Sequence, residues 1–281
     1  MLGDGVEGFA PKSVKQQVQT SLTALQTDCI DLLYLHWPDP NTHLEETLKA
    51  INDLHKQGKF RNLGLSNYPA YQIVEIWNHC RTNGYVLPSV AQYPYNPLAR
   101  TAEAELLPVC RRYGLALFAY NPLAGGLLAG EWSSAAETVL YEFNILSLGK
   151  YHQPDEEPDE GRFSNASGGI QAVRYRQRYW NNQMFEALRL IRAAADAHGL
   201  TMAGATLRWM AHHSMMSEAA GDALIIGCSS QQQLRESLEG LKGGPLPAEV
   251  AEAFDSAHGL VTGSEPYYSR TGGQVGVWSR L

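Results

Sequence analysis

The chain has 281 residues, 44% of them hydrophobic, enough to bury the core of one large α/β domain, and no linker-like break divides it. A formal net charge of -7, a sequence pI near 5.7 and the lack of any Lys/Arg cluster argue against nucleic acid as a partner. Cys29, Cys80, Cys110 and Cys228 are scattered without a C-x-x-C pair, which argues against a disulfide framework or zinc knuckle. No apolar run approaches the roughly 18 residues of a membrane helix, and Met1 to Glu7 lack the basic and apolar regions of a leader. The expectation is one cytoplasmic domain over residues 1–281, with no membrane or nucleic-acid partner.

Helical and strand patterns alternate along the chain. Ser13 and Gln16 read as a capping box ahead of an apolar stripe at Val14, Val18, Leu22 and Leu25. The run Ile30-Asp-Leu-Leu-Tyr-Leu-His-Trp-Pro-Asp39 reads as a buried parallel strand with His36 at its exit. Leu44, Leu48, Ile51 and Leu54 predict a helix stopped at Gly58, followed by a strand over 62–66. Pro69 opens a helix carrying Ile73, Val74, Trp77 and Cys80, and a strand follows over 89–93. A helix from Thr101 with Leu106, Val109 and Cys110 precedes a strand over 115–120. From 124 to 182 no period holds, and this stretch is expected to be a long loop with an acidic, Pro-punctuated part at 151–160.

Helical spacing returns at Met184, Leu188 and Ile191, stops at Gly199, and resumes around Leu207, Trp209 and Met210. A last strand is expected over 223–227. Ser230 and Gln233 form a capping box opening the helix of Leu234, Leu238 and Leu241, and Pro247 to His258 give a final helix. The tail 262–281 is Gly-rich, with Tyr267, Tyr268 and Trp278 expected at the surface. About five parallel strands result, where a closed barrel has eight. Either the sheet is open and doubly wound, or it is a barrel lacking three strands. Gly3 to Gly8 match G-x-G-x-x-G, but no strand precedes them and the helix begins too late for a pyrophosphate, so the match is set aside.

Polar residues gather at the strand exits, where barrel enzymes keep their chemistry. His36 is titratable at the end of an apolar strand. Ser66, Asn67 and Gln92 offer the donors and acceptors that a carboxamide needs, though strand ends and helix caps favour the same residues. Tyr120 offers a flat aromatic face or a core ring. Gly125 and Gly126 permit close backbone approach or a plain turn. Ser229, Ser230 and Gln233 stand at a helix N-terminus, which either binds an anion or is simply capped. Among the nine histidines no H-x-H or H-E-x-x-H spacing occurs, so no metal site is predicted.

Taken together, Asp31-Leu-Leu-Tyr-Leu-His-Trp-Pro-Asp39, Gly64-Leu-Ser-Asn67, Gln92, Tyr120-Asn-Pro-Leu-Ala-Gly-Gly-Leu-Leu128, Gly161-Arg-Phe163, Tyr175-Arg-Gln-Arg178 and Ile226-Gly-Cys-Ser-Ser230 resemble the aldo-keto reductases, most closely the aflatoxin aldehyde reductase branch. The resemblance implies an α/β fold of the TIM (β/α)8 barrel type, incomplete here by its first three strands. It implies NADPH/NADP+ as cofactor and reduction of a small aldehyde or ketone by hydride transfer, and it leaves homodimerisation open. His36 matches the catalytic histidine. Ser66, Asn67, Gln92, Tyr120, Asn121, Pro122, Leu123, Gly125, Gly126, Arg162, Ser229, Gln233 and Ser237 fall at cofactor positions. With His36, the residues Tyr175, Arg178 and Arg270 fall at substrate positions, where arginines would grip a carboxylate; the alternative for these arginines is a solvated basic patch.

The family's catalytic Asp, Tyr and Lys are expected on strands upstream of Met1. The resemblance therefore also admits an inactive chain, or a non-catalytic NADPH-binding regulatory protein.

Overall fold

A computed structural model of the chain describes residues 8–129, 162–164 and 170–269. Helix α1 (Pro11–Leu25) leads into β1 (Ile30–Leu35), α2 (Leu44–Lys56), β2 (Phe60–Ser66), α3 (Ala70–Asn83) and β3 (Pro88–Pro94). Then come α4 (Leu106–Tyr113), β4 (Ala116–Tyr120), α5 (Ile170–Tyr179), α6 (Asn182–Ala197), α7 (Met202–His212), β5 (Ala223–Leu224), α8 (Gln231–Lys242) and α9 (Ala248–Val261).

All five strands are parallel and lie in the order β1-β2-β3-β4-β5. A doubly wound sheet reverses its order at a switch point, so this sequential winding rules that architecture out and agrees with the barrel type. Alternate side chains Leu33, Leu35, Leu63, Leu65, Ala91, Tyr93, Leu117 and Ala119 are at most 2% exposed. They share one apolar core with Val18, Ile51, Ile73, Ile76 and Leu106 from the helices. On the opposite face Leu32, Gln92, Ala116 and Phe118 are only half-buried. The helices therefore cover one face, and the polar strand exits belong to the other.

Several expectations need correction. Helix α1 starts at Pro11, two residues before Ser13, and has no side-chain cap; proline at the first turn brings the right φ and no orphan N–H. Ser13 instead donates to the Gly8 carbonyl. The helix expected from Thr101 is split into a 3-10 turn (Thr101–Glu103) and α4. Pro108 explains the break, because a continuous helix would drive its ring into the carbonyl of Ala104. Strand β5 is two residues long, extended only by the Ile225 N–H donating to the Ala119 carbonyl at 2.8 Å.

The expected loop 124–182 contains α5. Its buried residues Ala172, Tyr175 and Tyr179 keep helical spacing, but interleaved arginines mask the stripe. Leu25, expected on the apolar stripe of α1, and Leu238, expected to mark helix α8, are 63% and 45% exposed. Tyr268, expected at the surface, is 1% exposed: its hydroxyl donates to Glu105 and accepts from the Ala70 N–H at 3.0 Å, tying the segment after α9 to α3. The acidic stretch 151–160 and Trp278 lie outside the described residues.

Asp39 fastens the residues before α1 to the exit of β1. Its carboxylate accepts from Phe9 N at 2.6 Å, Thr42 Oγ1 at 2.8 Å and Asn41 N at 2.9 Å. Partial burial pushes its pKa up, but those hydrogen bonds outweigh burial and hold it below the ordinary carboxylate value. A depressed folded-state pKa means stabilisation present above the unfolded pKa and lost as pH falls through the folded one. The stability advantage of the wild type over Asp39→Asn should therefore shrink between neutral pH and about pH 3, the acid edge of the carboxylate range. Urea midpoints of both proteins across that range check this, and a constant difference would refute it.

Candidate active site

Parallel strands that each run into a helix bring their C-terminal exits to one end of the sheet. His36 follows β1 there, half-buried. Asn67, one residue past β2, is its organiser. The Asn67 amide nitrogen donates to the His36 carbonyl at 2.8 Å and to Ser66 Oγ at 3.0 Å, while its amide oxygen accepts from the Tyr120 hydroxyl at 3.2 Å. Ser66 Oγ in turn donates to the Gln92 carbonyl at 2.8 Å. The exits of β1, β2, β3 and β4 are thus joined by one array of hydrogen bonds. Asn67 is buried with φ +66°, a left-handed conformation that asparagine tolerates better than most residues.

The β4 exit continues into a tight turn. Asn121 (φ +57°) accepts from the Tyr175 hydroxyl at 3.0 Å, and Arg162 donates to that same hydroxyl at 3.1 Å with its guanidinium 5.3 Å from the ring centroid. Pro122 and Leu123 lead into the 3-10 turn Ala124–Gly126. Gly125 has φ +73°, and a Cβ there would stand 2.6 Å from the Tyr175 ring; Gly126 has φ +113° and open space around it. Among the described residues the Asn121 Nδ2 is buried without a hydrogen-bond partner, a donor held ready beside this turn.

At the exit of β5, Ser230 caps α8 by accepting from the Gln233 N–H at 3.2 Å. Ser229 donates to Gln233 Oε1 from both its N–H and its hydroxyl at 2.9 Å. Capping accounts for these contacts, and the first N–H groups of α8 remain aimed past the cap. Ser237 is buried on the α8 face where Gly240 presses on Gly204 of α7, turned into the helix pair. Arg178 is half-buried on α5, and Arg270 lies outside the described residues. A polar hollow of about 260 Å³ lined by Gln26, Asp28 and Lys59 sits at the other end of the sheet and contains none of these groups.

The aldo/keto reductase family matches residues 2–258 of the chain. The chain belongs to this family. It is 43% identical over 264 residues to aldo-keto reductase family 7 member A3 of Homo sapiens, a match covering 92% of this chain and 74% of that protein. To aflatoxin B1 aldehyde reductase member 2 of Mus musculus it is 43% identical over 268 residues, covering 94% of this chain and 68% of the relative. An aldo-keto reductase of Pseudocercospora fijiensis is 39% identical over 259 residues, covering 92% and 80%.

In this family member, three contributors escaped the sequence reading. Tyr34 lies on the same face as His36, its ring crossing Gly64, where a Cβ would come within 2.5 Å. Its buried hydroxyl faces the Gln92 side chain without closing a hydrogen bond, and burial pushes its pKa up to about 12. Asn96 is fully buried, donating to the Asn121 carbonyl at 3.0 Å and accepting from the Leu98 N–H at 3.0 Å. Trp37 donates from its indole to His36. The Tyr34–Gly64 pairing becomes readable once β1 and β2 are set in register, a large ring opposite a glycine; for Trp37 the sequence holds no comparable signal.

Proposed function

We propose that the chain binds NADPH across its strand exits and takes part in reducing aldehydes and ketones to alcohols. The five strands are, in this reading, consecutive strands of a (β/α)8 barrel. Ser66, Asn67 and Gln92 would hold the carboxamide, Tyr120 would offer its ring to the nicotinamide, and the Asn121–Gly126 turn with the Asn121 donor would bind the pyrophosphate. Ser229 and Gln233 at the α8 N-terminus, with Arg162, would serve the phosphate and adenine end, whereas Ser237, turned into the α7–α8 pair, supports α8 from behind. When bound, NADPH supplies the hydride. His36 would donate a hydrogen bond to the carbonyl oxygen and stabilise the charge that develops there, and the alkoxide left by hydride transfer would take its proton from solvent water. Tyr175 forms the wall, and Arg178 and Arg270 grip a substrate carboxylate; aldehydes carrying an acid group are the substrates this set favours.

The observation that carries this reading is the hydrogen-bonded array from His36 through Asn67 to Ser66 and Tyr120, assembled from three strand exits. Titration of the full chain with NADPH should quench tryptophan fluorescence saturably, and with 2-carboxybenzaldehyde present the cofactor absorbance should fall. Absence of quenching would end the proposal.

A second reading, NADPH binding without turnover, is favoured by the phenols of the described residues near these exits. Tyr120 donates to Asn67, Tyr175 donates to Asn121, and Tyr34 is held near pKa 12 by burial. A general acid works best with a pKa close to the operating pH. Quenching without loss of cofactor absorbance selects this second reading.

A further inference from the structure

We propose that Trp37 is a positioning residue that holds His36 in its Nε2–H tautomer. The indole has a single polar atom, and it can only donate. Trp37 Nε1 stands 3.0 Å from His36 Nδ1, so this ring nitrogen accepts and carries no proton. Neutral imidazole has one N–H, which therefore lies on Nε2.

The arrangement is held from several sides. The two rings meet edge to face, with centroids 5.4 Å apart at 65°. The Trp37 carbonyl accepts from the Tyr68 hydroxyl at 3.1 Å, and the His36 carbonyl accepts from Asn67 at 2.8 Å, so neither backbone is free to rotate the pair apart. From α5, the Arg174 guanidinium carbon lies 5.9 Å from the centre of the indole, a cation resting on its face. Arg174 thus reaches from α5 to the β1 exit and steadies the donor that selects the tautomer.

The chemical consequence concerns which nitrogen can serve a carbonyl. A histidine that stabilises negative charge on a carbonyl oxygen must present a proton, and the wrong tautomer would present a lone pair from Nε2. The importance of this lock for turnover rests on the reductase reading above, whereas the tautomer itself does not.

The test uses the full chain labelled with 15N-histidine, with long-range proton–nitrogen spectra recorded where the imidazole is neutral and the His36 signals assigned by their loss in His36→Gln. Wild type should show an unprotonated Nδ1 and a protonated Nε2, and this measurement decides the matter even if a variant folds poorly. Trp37→Phe keeps a ring and removes the donor. It should lower the ratio of Nε2–H to Nδ1–H by about three- to tenfold, the worth of one hydrogen bond. A wild-type Nδ1–H tautomer, or an unchanged ratio in Trp37→Phe, overturns the proposal. NADPH quenching measured on the same samples separates the two readings: lost binding with an intact tautomer sinks the reductase reading alone, and intact binding with the wrong tautomer sinks this one alone.

Discussion

Replacing Asp222 by alanine should lower the free energy of unfolding by about 3–5 kcal/mol, the usual result of removing one partner from a buried ion pair. The Asp222 side chain is 1% exposed and stands immediately before β5. One carboxylate oxygen accepts from the Leu117 N–H at 2.7 Å and from Arg111 at 3.0 Å. The other accepts from the Ser217 N–H at 2.8 Å and from the second arm of the same guanidinium. Alanine leaves the Leu117 and Ser217 N–H groups without an acceptor and the Arg111 guanidinium with the Met215 carbonyl at 3.2 Å as its remaining one, and each orphaned backbone group costs about 1–3 kcal/mol. Because β5 is so short, these contacts rather than a long ladder keep it beside β4. Asp222→Asn, with one acceptor oxygen, should fall between the two. Urea unfolding measures the series, and a loss under about 1 kcal/mol in Asp222→Ala would show that the carboxylate does not hold this corner together.

The second large effect is expected at Gly125, where alanine should destabilise by about 2–4 kcal/mol. Two causes add: a left-handed backbone, worth about 1 kcal/mol for a residue with a Cβ, and overpacking against Tyr175, worth about 1–3 kcal/mol. They can be separated. In a Tyr175→Ala background the overpacking vanishes and only the backbone strain remains, so Gly125→Ala should then cost about 1 kcal/mol. Equal costs in both backgrounds would mean that Gly125 serves the turn and not the docking of α5.

The βα rhythm was legible because the central helix-facing positions of the strands are apolar, as at Leu33, Leu35, Leu63 and Leu65. Parallel topology then sufficed to bring His36, Ser66, Asn67, Gln92 and Tyr120 to one end of the sheet, as expected from the chain alone. What escaped notice depends on context that periodicity does not carry. Strand β2 begins at Phe60, earlier than expected, because Arg61 and Asn62 break the apolar run at an exposed strand start. Helix α5 hides behind its arginines, and α4 begins late because of one proline. Tyr268 looked like a surface residue of a glycine-rich tail, but the Glu105 carboxylate and the Ala70 N–H offer its hydroxyl the partners that allow burial. Asn67 was read as a ligand for a cofactor, and the structure adds a second duty, since both ends of its amide are engaged by neighbouring strand exits.

That double duty narrows the chemical alphabet at position 67 almost to a single letter. The backbone there is left-handed, which favours glycine, asparagine or aspartate. Glycine would satisfy the dihedral and leave the His36 carbonyl, Ser66 and Tyr120 without their common neighbour. Aspartate would accept from Tyr120 but has no proton to give to the His36 carbonyl. Glutamine has the right groups on a stem one carbon longer, which would carry its amide past the His36 carbonyl and the Tyr120 hydroxyl. Only a short amide supplies a donor, an acceptor and the turn together, so any redesign of these strand exits has to start from the asparagine and rebuild outward.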